Sequence, residues 1–269
     1  MFSEFVPTTE TFSWPPGKRM ALSLTFDDAR PTQLESGVPV LNELGVNATF
    51  YLFCPNVEVR REAWRAAAAK GHEMGNHSLT HPCSGNFSFA QKNALEDFTL
   101  ERMEQELLVA SQKLQELLNI TPKTFAYPCG QTFVGRGTHV KSYVPLIAKH
   151  FLAGRGWLSE RHNVPGFCDL AQLYGCSFDR LTFDQMKPML DTAAAEGGWL
   201  VLAGHDTGHD DRHQMVRIDT LRELCAFATD PKNGIWIDTV ATISEFVRNK
   251  RTSAPEDSSS DILDLGSEL

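Results

Sequence analysis

The sequence predicts a single α/β domain built on a mostly parallel sheet that closes into a barrel or incomplete barrel. Three observations carry this. Short apolar runs alternate with helix-like segments along most of the chain. About seven such runs fit within 269 residues, a length that one barrel domain commonly occupies. Hydrophobic residues make up 42% and charged residues 22%, which is ordinary globular composition with enough apolar side chain for a sizeable core.

The elements follow in order. Met20 to Phe26 (MALSLTF) is an apolar run ending at two aspartates, the pattern of a buried strand. Leu34 to Leu44 reads as a helix closed by Gly45, and Ala48 to Phe53 as a second strand. Glu62 to Lys70 is alanine-rich and helical, closed by Gly71. A long helix is expected from about Leu95 to Leu118, with Leu100, Met103, Leu107, Leu114 and Leu117 on one repeating face. Further strands are expected at Thr124 to Tyr127, Phe151 to Ala153, Trp199 to Ala203 and Gly234 to Asp238. The helices between them are Phe183 to Glu196, Thr220 to Ala228 and Val240 to Arg248.

Three segments divide the chain: an irregular lead-in over 1–19, the domain over 20–250, and an acidic tail over 251–269. The tail carries one cation against five carboxylates, with Ser258, Ser259 and Ser260 among them, and reads as a solvated segment.

The net charge of −9 and the lack of a basic stripe argue against a nucleic-acid or anionic-membrane partner. No apolar run approaches the ~20 residues needed to span a bilayer. The N-terminus shows no basic segment, apolar core and small-residue cleavage site of a signal peptide. The six cysteines (Cys54, Cys83, Cys129, Cys168, Cys176 and Cys225) are scattered without CxxC spacing, so free thiols in a reducing compartment are expected, and the cytoplasm with them.

In parallel barrels the functional groups sit where strands give way to loops. Three polar clusters occupy such places: Asp27-Asp28 after the first strand, His77 and His81 within GNHSLTH, and His205-Asp206 after WLVLAG. Two histidines four apart can lie on one face of a turn and share a cation, with a carboxylate completing a facial set that leaves room for water and substrate. Asp28 can supply that carboxylate. Taken alone, such a histidine pair is more often a feature of the surface, and adjacent aspartates are more often a helix cap or a solvated turn. His209 and His213, in a polar loop with Asp210 and Asp211, read as a solvated segment and not as a second metal site. The cysteines read as small buried hydrophobes and not as ligands.

Thr25-Phe26-Asp27-Asp28, followed by Gly71-His72 and Gly75-Asn76-His77-Ser78-Leu79-Thr80-His81, resembles the first two motifs of the polysaccharide deacetylases, the family-four carbohydrate esterases with a NodB-homology domain. The resemblance continues in diluted form through Phe125 to Gly130, Trp199 to Asp206 and Trp236 to Val240, and covers about Met20 to Arg248. It implies a distorted (β/α)7 barrel. It implies Asp27 as catalytic base and His205 as general acid. Asp28, His77 and His81 become the ligands of one divalent cation, zinc by preference, with cobalt, nickel or manganese as alternatives. The loop Tyr127 to Gly130 matches the third motif, whose backbone N–H helps to hold an oxyanion, with Cys129 where tyrosine is usual. The implied reaction removes an acetyl group from a carbohydrate, so the implied partner is an acetylated sugar or oligosaccharide.

Several positions depart from the family's pattern. Ala126 stands where an arginine usually braces the catalytic aspartate. Arg155, in LAGRGW, follows another expected strand and is the candidate to replace it, set against a plain surface or core-bridging arginine. The aspartate of the fourth motif is not recognisable, and Trp157 or Asp179 would have to serve. Ala203 replaces a leucine of the acetyl pocket. These departures keep two other readings open: a hydrolase of another C–N bond, such as a cyclic amide or ureide, on the same scaffold, and a non-catalytic sugar-binding protein.

Overall fold

The structure is a computed structural model in which residues 12–253 are described. Most of the lead-in (1–11) and of the tail (254–269) therefore lies outside the described residues.

Eight parallel strands form the main sheet: β1 (Met20–Asp27), β2 (Thr49–Leu52), β3 (Glu73–Asn76), β4 (Thr124–Ala126), β5 (Ala153–Arg155), β6 (Cys176–Ser177), β7 (Trp199–Gly204) and β8 (Ile235–Ile237). Seven run in the order β5-β4-β3-β2-β1-β7-β6, and β8 pairs with β1. The central strand β1 divides one edge between two neighbours. Its first half, Met20 to Leu22, pairs with β8, and its last residues, Thr25 to Asp27, pair with β2. Its other edge is taken by β7 from Ala21 to Phe26. The sheet curls into a half-barrel, the distorted seven-strand architecture implied by the motifs.

Strand β1 is buried along its whole length, as a strand flanked on both faces must be. One face packs Leu22, Leu24, Phe26, Phe50, Leu200 and Leu202 into the main core, where Phe26 stacks on Phe50 at 5.3 Å between centroids. Around the sheet lie the helices α1 (Val38–Glu43), α3 (Arg61–Ala69), α4 (Leu100–Leu118), α6 (Phe183–Glu196), α7 (Ile218–Thr229) and α8 (Val240–Ser253), with two short ones, α2 (Cys54–Glu58) and α5 (Val144–His150). Of the lead-in, Trp14 is described. It is buried against Trp236 and Phe246 and donates its indole N–H to Gly197 O at 2.9 Å, so this stretch seals the N-terminal end of the barrel.

Two of the expected elements shift. The long helix begins at Leu100 and not near Leu95, because Thr99 caps it by accepting from the Arg102 N–H and Leu95 donates to Cys83 O. The strand expected at Phe151 to Ala153 lies two residues later, because the Phe151 N–H still closes α5 on Ile147 O. The short α2, α5 and β6 carry no strong periodicity and were not anticipated.

The cysteine expectation is corrected. Cys83 and Cys129 form a disulfide across 46 residues, leaving Cys54, Cys168, Cys176 and Cys225 free. The loops after β3 and β4 bring the two sulfurs together, and linear spacing carries no trace of that proximity. The argument from free thiols to a reducing compartment goes with it. No helix among the described residues is long and apolar enough to cross a membrane.

Candidate active site

The C-terminal ends of β1, β3, β4, β5 and β7 open into one cleft of about 710 Å³, lined by Asp27, Asp28, His77, His81, Tyr127, Cys129, Trp157 and His205 among others. Among the described residues nine non-glycine residues adopt positive φ, of which Asp28, His81, Cys129, Leu158 and Gln214 line this cleft. Left-handed backbone is costly for side-chain-bearing residues, and its concentration at one place is typical of a functional site.

Asp28 leaves the strand at φ +75°, which turns its carboxylate away from that of Asp27. Its Oδ1 lies 3.5 Å from Nε2 of both His77 and His81, and the three side chains offer ligand atoms within 4.8 Å of one another. His77 donates Nδ1–H to Ala126 O at 2.9 Å, which frees Nε2 to face Asp28. This is the outer hydrogen bond that fixes the tautomer of a ligating imidazole. The His81 Nδ1 faces Cys83 Sγ at 3.6 Å, so its Nε2 also points inward. One carboxylate oxygen and two free Nε2 atoms, with space beyond them, fit a small divalent cation in an open site.

The turn between the histidines is fastened from below. Glu106 of α4 accepts from the N–H groups of Leu79 and Thr80 and from the Thr80 hydroxyl. Asn76 accepts from Ser78 N–H and donates to Leu107 O. Burial alone would raise the Asp28 carboxyl, but the hydrogen bond and charge of the neighbouring His77 lead the effects that outweigh it and hold it well below the usual carboxylate range. Burial and the neighbouring His77 charge push His81 down to about 4, keeping it neutral and available as a donor.

Asp27, almost fully buried, is hydrogen-bonded by Arg155 Nη2. Arg155 is the last residue of β5 and wholly buried. It also donates to Gly156 O at 2.9 Å and lies over the Tyr51 ring at 5.0 Å. Gly175 makes this path possible: a Cβ there would meet Arg155 Cδ at 2.4 Å. Gln33 ties the two catalytic-end strands together by donating to Asp27 O and His205 O.

His205 ends β7. Asp179 accepts from its backbone N–H at 3.0 Å and from Nδ1 at 2.8 Å, while Trp157 meets the ring edge-on at 4.8 Å. Both alternatives for the fourth motif thus touch His205, Asp179 by hydrogen bonds and Trp157 by its ring. The Tyr127 hydroxyl turns away to Ala171 O at 2.6 Å, and Cys129, at φ +54°, lines the cleft wall beside it.

Sequence reasoning missed one network. Arg30 donates to Asp28 Oδ2 at 2.9 Å, to Asp206 Oδ2 at 2.7 Å and to Gln214 Oε1 at 2.7 Å. The Gln214 amide nitrogen lies 3.3 Å from His205 Nε2. The proximity of Arg30 to Asp28 in sequence was the available signal. Its other partners follow β7, the strand beside β1, but lie 176 and 184 residues away in sequence. His209 and His213 do not join a metal-binding group. Among the described residues a second such group is His81, Cys83 and Cys129, whose two sulfurs are bonded to each other.

Comparison with known proteins adds to this geometry. The sequence pattern of the family described as polysaccharide deacetylase matches residues 15–141. Over 60 residues the chain is 40% identical to a chitooligosaccharide deacetylase of Sinorhizobium fredii, covering 22% of this chain and 28% of the relative. The chain spans less than a third of the length of such curated relatives. A solved structure from Mycobacterium smegmatis, assigned to the polysaccharide deacetylases, superposes with a TM-score of 0.65 at 18% identity, over 90% of this chain and 94% of that one. A Puue allantoinase superposes with a TM-score of 0.63 at 14% identity, over 90% and 93%. At these identities the structures establish the shared fold.

Proposed function

We propose that this chain, whose residues 15–141 match the sequence pattern of the polysaccharide deacetylases, is a metal-dependent hydrolase that removes acetyl groups from a carbohydrate. The observation that carries the reading is convergence. A carboxylate paired with arginine, a carboxylate with two free imidazole nitrogens, and a histidine backed by an aspartate all face one cleft.

Asp28, His77 and His81 would hold the cation, which when bound supplies Lewis-acid polarisation of the acetyl carbonyl and of water. Asp27 takes a proton from the attacking water, its carboxylate held in place by the Arg155 guanidinium. The oxygen that gains charge as the carbonyl carbon becomes tetrahedral faces the Cys129 N–H. His205, its Nδ1–H held by Asp179, delivers a proton from Nε2 to the departing amine, which would otherwise leave poorly as an anion. Water and the amide are consumed, and acetate and the free amine result.

A second reading, opening of a cyclic amide or ureide, draws support from the fold shared with an allantoinase. One experiment separates them. Purified protein with its metal content measured is assayed for acetate released from acetylated sugars and for ring opening of cyclic ureides. Acetate release with one equivalent of divalent ion is the expected result, and ring opening without acetate release would transfer the assignment to the second reading.

A further inference from the structure

Cys83 and Cys129 join two rim loops that carry different halves of the proposed oxyanion site. Cys83 follows His81 closely, on the loop after β3 that supplies both imidazoles of the ligand cluster. Cys129 lies on the loop after β4 and offers the backbone N–H that would share the charged oxygen with the cation. The bond between them closes a span of 46 residues. The Cys83 sulfur also lies 3.6 Å from His81 Nδ1, so the crosslink runs along the edge of the cluster itself.

The two ends of this bond are held unequally. Cys83 is wholly buried, its carbonyl accepts from the Leu95 N–H at 3.0 Å, and Glu96 accepts from the Ser84 hydroxyl and the Gly85 N–H. That end is fixed without its sulfur. Cys129 is half-buried on the cleft wall and stands at φ +54°, with Gly130 after it at φ +69°. Left-handed backbone at a residue with a side chain persists only where the surroundings enforce it. Beside the crosslink, the Ser84 N–H donates to Gln131 Oε1 at 2.7 Å. The next links between the loops, His77 Nδ1–H to Ala126 O and Gly135 N–H to Leu95 O, lie to either side of the turn. One hydrogen bond to a rotatable amide is a loose hold on the turn, and the covalent bond is a tight one.

Position is what an oxyanion donor requires. The oxygen gains charge only as the carbonyl carbon becomes tetrahedral, and a donor stabilises it from roughly 2.7–3.1 Å of that place. The crosslink sets the Cys129 N–H relative to the His81 turn, and so relative to the cation that would hold the same oxygen. A slack turn leaves the cleft walls that bind the substrate unchanged and loses stabilisation particular to the transition state. Because Cys129 lines the cleft, its sulfur is open to a small reductant from that side.

Resting on the hydrolase reading above, we propose that the Cys83–Cys129 bond is a positioning crosslink for the oxyanion N–H, so that full turnover requires the oxidised pair. The test reduces the bond with a water-soluble trialkylphosphine that is removed before assay. One water is consumed: the phosphine becomes its oxide, and each sulfur gains a hydrogen. A small disulfide restores the bond by exchange and leaves as two thiols. Acetate release, bound metal and calorimetric affinity for methylphosphonate, a tetrahedral anion, are measured on oxidised, reduced and reoxidised protein. The same measurements are made on Cys83→Ser and Cys129→Ser. Reduction is expected to lower kcat by about tenfold or more and to weaken methylphosphonate by a similar factor. KM and metal content should stay within about twofold, and reoxidation should restore kcat. Both variants should behave as the reduced protein and ignore the phosphine. Cys168→Ser, which removes a thiol outside the cleft, should keep the wild-type kcat and its sensitivity. An unchanged kcat on reduction overturns the proposal, as does a fall that follows loss of metal or that lies in KM alone. If the oxidised protein releases no acetate from any acetylated sugar, the deacetylase reading fails. The methylphosphonate affinities then decide the crosslink, and values that are equal, or absent in both states, overturn it.

Discussion

Asp27 and Glu73 are carboxylates drawn into opposite ends of the same barrel, and their surroundings differ in kind. Glu73 opens β3 at the N-terminal end. Its oxygens accept from the hydroxyls of Thr49 and Thr124 and from the Ala241 N–H, which joins β2, β4 and α8 at one point. Burial raises its pKa, and these hydrogen bonds and the charge of Lys123 recover part of the shift. Asp27 closes β1 at the C-terminal end, paired with a buried arginine and facing the cleft. A carboxylate surrounded by neutral donors is a joint; one paired with a guanidinium at the edge of a cavity can exchange a proton. Burial by itself separates nothing, whereas the partner and the open side do.

That contrast is broken or sharpened by changing one end at a time. The largest effect is expected at the cluster beside Asp27. Asp28→Ala removes the carboxylate that links both imidazoles, so bound metal and turnover should vanish together, measured by elemental analysis and acetate release. Full metal occupancy in this variant would remove Asp28 from the ligand set. Asp27→Asn should retain the metal and lose turnover by roughly 10²–10⁴, the usual worth of a positioned base. Near wild-type turnover would mean that the proton goes elsewhere.

Arg155→Lys comes next. Lysine keeps the charge but not the planar fork, and the ammonium must reach a buried site shaped by Gly175 for a guanidinium. Turnover should drop by more than tenfold, about 1.4 kcal/mol of barrier, with metal content unchanged. A loss of metal instead would show that Arg155 supports the cluster and not the base.

The Cys83–Cys129 bond tests how far the rim depends on its crosslink. Closing a loop across 46 residues is worth about 4 kcal/mol in the chain-entropy view. Cys83→Ser should therefore lower the unfolding midpoint in urea while leaving metal content intact, since neither sulfur belongs to the Asp28 set. Loss of metal on removing Cys83 would instead bring a sulfur into the site.

How much of this was legible in the sequence follows from how far each interaction reaches along the chain. Asp27, Asp28, His77 and His81 were readable because their signal is local: a strand end followed by a fixed spacing. The barrel was readable because apolar runs and helices alternate. Arg155 could be named because β5 ends there, but its meeting with Asp27, 128 residues away, needed the sheet order that sets β5 and β1 around one opening. The disulfide and the Arg30 network were not readable. Each depends on loops converging from separate strands, and periodicity carries no information on such convergence.

The smallest effect is expected at the other end of the comparison, where the carboxyl-to-carboxamide change made at Asp27 is repeated as Glu73→Gln. A glutamine oxygen can still accept from the Ala241 N–H, and its NH₂ can donate to a threonine hydroxyl, whose hydrogen rotates to suit. No buried donor need be stranded, so the cost should stay within about 1 kcal/mol. Turnover should stay within about twofold, because nothing at this end faces the cleft. The pH dependence gives the sharper reading. The folded pKa of Glu73 is raised, so its protonated form is the one that folding favours. Its contribution to stability is therefore full below its ordinary value of 4.5 and is lost as pH rises from there through the raised value. Replacing it with an amide that does not titrate should flatten the stability profile over that window and make the variant relatively more stable at neutral pH. The check is urea unfolding of both proteins from pH 4 upward, with the pH-dependent difference as the readout. A variant that loses stability steadily as pH rises relative to wild type would show that Glu73 is ionised and held by its donors. The two carboxylates would then differ in position alone.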